Sequence, residues 1–330
     1  MTESSGRISE VRQEGPSSVA IWTGMLAVYI AWGSTYLAIR FAVETIPPFL
    51  MAGVRFLIAG GVLYLLRRVI VKDASPLRIE WRSAAIVGLF LLVGGNGAVT
   101  WAEQRVPSGI AALLVGSAPL WMVLLDSFRP GGRRPAGWTL AGVLLGFFGI
   151  VVLVGPAQMF GSQGRVDPLG ALALTFAAFS WAIGSLYNRG ARLPNSPLLS
   201  TGMEMLAGGL GLVLLGTLTG EWSRLDPASI SARSLAGLVY LIIFGSWVGF
   251  VAYIWLLRVA PTSLVSTYAY VNPLVAIFVG SWLADEEVTP RILLAAAIIV
   301  GSVALITLTQ PAKAKSGQTL QESFIAPGED

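Results

Sequence analysis

WLLRVAPTSLVSTYAYVNP at residues 255–273 is a diverged second copy of WAEQRVPSGIAALLVGSAP at residues 101–119. A shift of 154 positions aligns Trp101 with Trp255, Pro107 with Pro261, Pro119 with Pro273 and, just upstream, Gly95 with Gly249. The chain holds only 11 Trp and 18 Pro among its 330 residues, so these coincidences favour an internal duplication over chance.

The second proline of each copy, Pro119 or Pro273, lies deep inside an apolar run. Proline has no N–H and its ring clashes with the carbonyl four residues earlier, so Val115 and Ala269 are expected to lose a helical partner. A broken helix inside a membrane is tolerated only where protein or a water-filled cavity satisfies the backbone. Matched breaks in two halves of a chain are typical of a transporter's binding site. We therefore expect helix breaks at both prolines, beside a central cavity.

The composition is that of a membrane protein. Of the 330 residues, 55% are hydrophobic and only 12% are charged, and the mean hydropathy is +0.72. Soluble domains typically carry about 25% charged residues. The net charge of +4 is spread too thinly for a nucleic-acid-binding protein. The expected partners are the lipid bilayer and a small-molecule substrate, with no nucleic acid.

The chain contains neither Cys nor His. This excludes disulfides, thiol nucleophiles and thiolate metal sites, and it removes the commonest metal ligand and proton shuttle. We predict no catalytic residue, no metal and no cofactor. A membrane-embedded enzyme and a channel are the alternatives to a transporter; a chemical change in the substrate would favour the first, and flux that does not saturate would favour the second.

Ten apolar runs are each long enough to cross ~30 Å of hydrocarbon. They are residues 19–41, 47–71, 82–103, 107–127, 136–155, 168–188, 198–219, 234–258, 261–283 and 290–309. The predicted layout is a disordered cytoplasmic lead (1–18), a first five-helix repeat (19–156), a second, inverted repeat (167–309) and a disordered cytoplasmic tail (310–330). The predicted fold class is an all-α membrane protein of ten transmembrane helices, arranged as two inverted five-helix repeats.

The duplication extends over most of the chain. An offset of 149 aligns Trp32 with Trp181, Arg40 with Arg189, Pro48 with Pro197, and Arg55 with Glu204. Each copy has an odd number of spans, so the second copy must enter the membrane from the opposite face. Inverted repeats of this kind present one site alternately to the two sides of a membrane.

Positive charge is distributed unequally between the two sets of loops. With the N-terminus inside, fifteen Lys and Arg residues fall on the cytoplasmic side and six on the outer side. The outer six are Arg40, Arg105, Arg165, Arg224, Arg233 and Arg291. Cytoplasmic loops carry the excess of Lys and Arg, so both termini are predicted to be cytoplasmic.

With these features the sequence resembles the drug/metabolite transporter superfamily, in its ten-helix EamA-type branch. The residues that carry the resemblance are Trp32, Gly33 and Arg40 of the first span, Pro119 and Pro273, and Glu286, Val288 and Thr289 before the last span. The first repeat departs from the pattern, because Gly132 and Arg133 stand where its own Glu turn is expected.

The resemblance implies a multi-pass protein of a bacterial inner membrane, monomeric or weakly dimeric, that moves substrates out of the cytoplasm. It also implies a central cavity lined by spans 1, 3, 4, 6, 8 and 9, with spans 5 and 10 at the periphery. General likeness within the branch is to amino-acid exporters associated with aromatic amino acids. Export of drugs, sugar phosphates or nucleobases is the alternative.

The tryptophans divide by their depth in the predicted spans. Membrane-interface anchoring explains Trp22, Trp81, Trp138, Trp222 and Trp282, which lie near span ends. Four others lie near mid-span, where they can either stack on an apolar substrate or pack between helices: Trp32, Trp121, Trp181 and Trp247. We expect Trp32, Trp181 and Trp247 to bind substrate, and Trp101 to line the mouth of the cavity.

Two polar pairs have the i, i+4 spacing that places both side chains on one helix face: Asn96 with Thr100, and Tyr268 with Asn272. Uncharged amide and hydroxyl groups suit both ends of an amino-acid zwitterion. Interhelical hydrogen bonding is the alternative use of such residues. We expect Asn96, Tyr268 and Asn272 to contact the substrate.

Arg55 and Glu204 are ionisable residues inside predicted spans, and they are repeat mates. Charge is costly inside a membrane, which makes both candidates for function. Snorkelling to the interface is the alternative for each side chain. Since no acidic residue is secure at mid-membrane, we expect flux to follow the substrate gradient without needing a proton gradient.

Overall fold

The computed structural model describes residues 17–128, 137–154, 167–260, 262–265 and 267–309. All regular structure in these ranges is helical. Ten principal helices are α1 (Ser18–Ala42), α2 (Pro48–Ile70), α3 (Arg78–Ala102), α4 (Ser108–Phe128), α5 (Trp138–Val154), α6 (Pro168–Asn188), α7 (Pro197–Leu218), α8 (Ala232–Leu257), α9 (Tyr268–Ala284) and α10 (Pro290–Leu308). A separate helical turn, Thr262–Val265, precedes α9.

Polar residues in the predicted loops start several of these helices. The Ser17 side chain accepts a hydrogen bond from the backbone N–H of Ala20 and so caps α1. Asp167 caps α6 in the same way, accepting from the Gly170 N–H at 2.8 Å, and Pro168 follows it at the first helical position. Proline suits that position because its missing N–H has no helical partner there. These polar residues and prolines in the short connections therefore determine the residue at which such a helix begins.

The ten helices lie close to the ten predicted apolar runs. Within the described ranges, eight helices are long and apolar enough to cross a membrane, and α5 and α9 are shorter apolar helices. The run at 261–283 is not one continuous helix, as the span prediction assumed. The turn Thr262–Val265 and α9 are separate, and Thr267 turns its hydroxyl back to the Leu264 carbonyl at 2.6 Å. This local bond competes with the helical ladder at the junction.

Two helices contain long π-helical segments that the sequence did not predict. They are Leu89–Gly97 in α3 and Leu241–Val248 in α8, the third helix of each half of the chain. A π segment changes which side chains share a face, and such segments are frequent at functional sites. Both segments reach the centre of the bundle.

Contacts between helices form matching pairs when α1–α5 are compared with α6–α10. Helix α1 packs on α8 and α9, as α6 packs on α3 and α4. Helix α2 packs on α7, α4 on α9 and α5 on α10, so that these contacts join helices of equal rank. Close approach depends on glycine: a Cβ on Gly60 of α2 would lie 2.8 Å from the Gly202 carbonyl oxygen of α7.

The bundle has two ends, which differ in packing. The terminal end carries residues 17 and 309, and the Glu286 end carries Arg40, Glu103 and Glu286. At the Glu286 end, one apolar core joins α1, α3, α4, α6 and α10, with Ile39, Val106, Ile110, Leu174 and Ile299 among its buried members. At the terminal end the core divides into separate clusters, one around Met25 and Leu256, another around Leu120 and Ile306. The buried apolar residues thus form one cluster at the Glu286 end and several at the terminal end.

Candidate functional site

A cavity of about 180 Å³ lies at the centre of the bundle. Its wall is formed by α1, α2, α3, α4, α6, α8 and α9, while α5, α7 and α10 contribute no lining residue. The expected six helices all take part, and α2 joins them through Arg55 and Phe56. The cavity lies between the continuous core of the Glu286 end and the separate clusters of the terminal end.

Aromatic rings form one side of the cavity. The Trp32 ring centroid lies 5.1 Å from that of Tyr268 and 5.3 Å from that of Phe250, in edge-to-face geometry. The Trp32 Nε1–H donates to the Gly245 carbonyl at 3.2 Å, which fixes the indole in place. Trp181 lies on α6, in a different part of the wall. Apolar faces of this kind bind aliphatic and aromatic groups with little shape selectivity.

Arg55 is the one charged residue in the cavity wall described here. It is only 4% exposed, its Nε–H donates to the Ser246 hydroxyl at 3.2 Å, and its guanidinium carbon lies 4.7 Å from the Phe56 ring centroid. Within the described ranges it forms no ion pair, and no acidic side chain lines the cavity. Buried charges are normally paired, so the site is suited to a ligand that brings an anionic group.

Two amide side chains also line the cavity. Asn272 of α9 is 8% exposed, and its Oδ1 has no hydrogen-bond partner among the described residues. Asn96 of α3 donates from Nδ2 to the Leu91 carbonyl at 3.5 Å, a long bond that a ligand can replace. Thr100, by contrast, lies outside the cavity wall, and its hydroxyl donates to the Asn96 carbonyl at 2.7 Å.

Most of the site residues predicted from the sequence meet at this cavity. Those in its wall are Trp32, Arg55, Asn96, Pro119, Trp181, Tyr268, Asn272 and Pro273. Their common location is a structural finding, and their contact with substrate stays a prediction.

Three of the predicted residues lie elsewhere. Trp101 packs into the core of the Glu286 end, with the Arg105 guanidinium 4.2 Å from its ring centroid. Trp247 packs between α2 and α7 and donates its Nε1–H to the Ala59 carbonyl at 3.2 Å. Trp247 is two residues from Gly245 and so lies on the side of α8 away from the cavity. The π segment brings Gly245 and Phe250, five residues apart, to the cavity face. Glu204 lies on α7, outside the cavity wall.

Both prolines line the cavity, and Pro273 packs against the break in α4 that precedes Pro119. Helix α4 is interrupted at Gly116 and Ser117, two residues before Pro119. Pro273 lies inside α9, and a Cβ on Gly116 would lie 3.1 Å from its Cγ atom. The break in α4 and the proline of α9 therefore pack on each other. The helix break expected at Pro273 is not found: α9 runs through this proline from Tyr268 to Ala284, and the interruption of this half lies before α9.

Sequence reasoning missed several cavity residues that a helical wheel could have found. Thr35, Tyr36 and Ile39 follow Trp32 at spacings of three, four and seven, and all four line the cavity from α1. Tyr36 was passed over because a single Tyr in an apolar run carries no signal of its own. Phe250 depends on the π segment of α8, which no sequence pattern predicted.

Ion pairs join helices at the Glu286 end. Arg40 of α1 forms an ion pair with Glu286, which follows α9. Glu286 also accepts hydrogen bonds from the backbone N–H groups of Ser108 and Gly109, at 2.9 and 3.1 Å. It thereby ties α1 and the connection after α9 to the first turn of α4. Arg40 and Glu286 are two of the residues on which the family resemblance was based.

Comparison with known proteins agrees with this architecture. The sequence model described as "EamA-like transporter family" matches residues 19–155 and again 168–308. A protein named "Uncharacterized inner membrane transporter YedA", from Escherichia coli K12, is 38% identical over 307 residues, 92% of this chain and 96% of its own. A "Probable amino-acid metabolite efflux pump" of the same organism is 25% identical, over 83% of this chain and 90% of its own. One crystal structure matches 89% of this chain and 99% of its own, with a TM-score of 0.60 and 25% identity.

Proposed function

Because the chain belongs to the EamA-like transporter family, we propose that it is a secondary transporter that exports neutral amino acids, aromatic ones included, by alternating access around its central cavity. The similarity to a protein named as a probable amino-acid metabolite efflux pump supports this direction and substrate class. The similarity to a protein named as an inner membrane transporter supports localisation in a bacterial inner membrane.

The observation that carries the substrate proposal is Arg55, a buried cation that has no acidic partner among the described residues and is the one charged group they place in the cavity wall. A substrate carboxylate would satisfy it with charge-assisted hydrogen bonds, which are stronger than neutral ones. Phosphate would meet the same guanidinium, but it would bring a second negative charge into a wall where the described residues offer no second cation.

The other end of an amino acid finds complementary groups nearby. The Oδ1 of Asn272, which has no hydrogen-bond partner among the described residues, can accept a hydrogen bond from an ammonium group. Trp32, Phe250 and Trp181 then contact the side chain. One methylene in an apolar pocket changes affinity by only ~1–3 kcal/mol, so the range of accepted side chains should be broad.

The packing of the two ends supports an alternating-access cycle. The continuous core and the Glu286 bonds close one end, while the terminal end is divided into separate clusters. Equivalent contacts in the two halves support two inverted five-helix repeats, in which the pattern of open and closed ends can be exchanged. If both termini are cytoplasmic, as the loop charges indicate, the described conformation opens to the cytoplasm.

A substrate panel tests the proposal. Purified protein in proteoliposomes should transport labelled phenylalanine, methionine and threonine with saturation, and the three should compete with one another. A labelled sugar phosphate should be transported poorly. Transport of the sugar phosphate alone would end the amino-acid proposal, and a chemically altered amino acid would point to an enzyme.

A further inference from the structure

Glu103 is a buried acid that the transport proposal does not use. It follows α3 at the Glu286 end, one turn beyond Val99 of the cavity wall, and its N–H donates to the Val99 carbonyl at 3.0 Å. The residue is 2% exposed, and neither Oε1 nor Oε2 has a hydrogen-bond partner among the described residues. An ionised carboxylate placed in this way loses its hydration, and Arg40 compensates that loss only in part.

The groups around Glu103 oppose its ionisation. The Glu286 carboxylate acts on it electrostatically, and Arg40 is the cation nearby. Arg40, however, forms its ion pair with Glu286. Arg105 turns away, over the Trp101 ring and towards Asp167, whose carboxylate lies 3.9 Å from its Nε. Burial, and then the Glu286 charge, raise the pKa of the Glu103 carboxyl well above its usual range, and Arg40 opposes this only in part.

We propose that Glu103 is the proton-binding site of a gate: it takes up one proton when the Glu286 end closes around it and returns that proton to water when this end opens. The closed end, in which Glu286 holds Ser108 and Gly109, is stable only with Glu103 neutral. This proposal rests on the alternating-access function proposed above. It names the group whose protonation favours one conformation of that cycle.

The direction of the pH effect follows from linkage. The closed state binds the proton more tightly than the open state, so lowering the pH favours closure. Closure is fully favoured below about pH 4.3, the ordinary pKa of a Glu carboxyl, which applies to Glu103 in the open state. This advantage is lost as the pH rises towards the higher pKa of the Glu103 carboxyl in the closed state. Between these limits the closed-to-open ratio should fall by up to about tenfold per pH unit. Since the same side of the membrane supplies and receives the proton, transport depends on pH there without requiring a proton gradient.

A distance measurement tests the gate without any substrate, so its failure is distinct from failure of the transport proposal. The chain has no Cys, so spin labels can be attached to a Gln104→Cys, Val288→Cys variant in lipid nanodiscs. These residues belong to the connections after α3 and after α9 that Glu286 and Ser108 link. We expect the short distance at about pH 5 and a growing long-distance population towards about pH 8.

Two further variants in this labelled protein assign the effect to Glu103. Glu103→Gln, neutral at every pH, should keep the short distance throughout. Glu44→Gln, the control at an acid of the same end that is 39% exposed, should respond as the unchanged protein does. A persistent pH response in Glu103→Gln, or none in the unchanged protein, would overturn the proposal.

Infrared spectroscopy gives a second readout that needs no variant. The unchanged protein should show the carbonyl stretch of a protonated buried carboxyl group at low pH, and the band should fade in step with the distance change. A gate that opens with no loss of such a band would also contradict the proposal.

Discussion

Arg55 is the single side chain on which the substrate proposal depends. Its guanidinium is buried in the cavity wall with one hydroxyl and one aromatic ring as its partners in the described structure. A guanidinium in this setting discriminates ligands by whether they carry an anionic group. A ligand that lacks the carboxylate leaves the cation unsatisfied, whereas an amino acid supplies the missing charge.

The first prediction compares two ligands on two proteins. Arg55→Gln should weaken phenylalanine binding by about ten- to a hundredfold, because hydrogen bonds to charged groups contribute about 1.5–3 kcal/mol. It should leave phenethylamine, which lacks the carboxylate, nearly unaffected. Arg233→Gln is the matched control, since Arg233 pairs with Glu44 on the surface of the Glu286 end. Equal losses for both ligands in Arg55→Gln would show that the cation does not hold a carboxylate.

At the scale of residues, the sequence predicted which residues are candidates for the site better than it predicted which way their side chains face. Trp32 and Trp181 were found because tryptophan at mid-span has no interface to anchor to, and both line the cavity. Trp247 met the same criterion, yet it lies on the face of α8 that packs towards α2 and α7. Glu103 was missed because it ends an apolar run, and only the packing of α1 and the connection after α9 around it shows that it is buried.

At the scale of helices, glycine determines how closely neighbouring helices approach each other, most clearly in α2 and α7. Gly60 and Gly61 are neighbours in one helix with opposite surroundings. A Cβ on Gly60 would lie 2.7 Å from the Met205 Cβ and 2.8 Å from the Gly202 oxygen, while a Cβ on Gly61 would meet nothing within 4 Å. Backbone atoms cannot be displaced as cheaply as the end of a flexible side chain.

The second prediction uses this neighbouring pair. Gly60→Ala should lower the thermal unfolding temperature in detergent, because overpacking costs ~1–3 kcal/mol. Gly61→Ala should be neutral or raise it, since alanine favours a helix over glycine by up to about 1 kcal/mol. Equal shifts for the two variants would mean that α2 and α7 do not pack closely at Gly60.

The third prediction concerns the proline of α9. Pro273→Ala restores an N–H donor for the Ala269 carbonyl and removes the ring that packs on Gly116 of α4. We expect transport per folded molecule to fall severalfold, with a smaller loss of expression. Pro290→Ala, at the start of α10 where proline replaces no helical hydrogen bond, serves as the control. Unchanged flux in Pro273→Ala would make the proline a purely structural feature.

The positions of the helices were predictable from the sequence where the length of an apolar run determines them. The ten predicted apolar runs correspond to the ten principal helices of the described chain, eight of which are long and apolar enough to cross a membrane. The pattern did not predict the π segments of α3 and α8, which lie at the centre of the bundle and set which residues of these helices face the cavity. Nor did it predict the gap before α9, where the Thr267 hydroxyl bonds to the Leu264 carbonyl.

At the scale of the whole molecule, orientation in the membrane follows from the loop charges. The fourth prediction is that Ser4→Cys and Ser316→Cys resist an impermeant thiol reagent in intact cells, while Ser162→Cys and Ser223→Cys react. The fifteen-to-six excess of Lys and Arg is the reason, and the absence of native Cys removes any background. Ser223 is exposed after α7, and the other three lie outside the described residues. Labelling of Ser4→Cys in intact cells would contradict the predicted orientation and place the N-terminus outside.

The central claim, that an alternating-access cavity carries neutral amino acids, is tested most directly by counterflow. Proteoliposomes loaded with unlabelled phenylalanine and diluted into a trace of labelled phenylalanine should accumulate label transiently above its equilibrium level, with no imposed pH difference. Arg55→Gln should abolish this overshoot at the same substrate concentration, and Arg233→Gln should retain it. Entry of label that never exceeds equilibrium would indicate a channel, and an overshoot that appears only with a pH difference would indicate obligatory proton coupling; either result would contradict the mechanism proposed for this transporter.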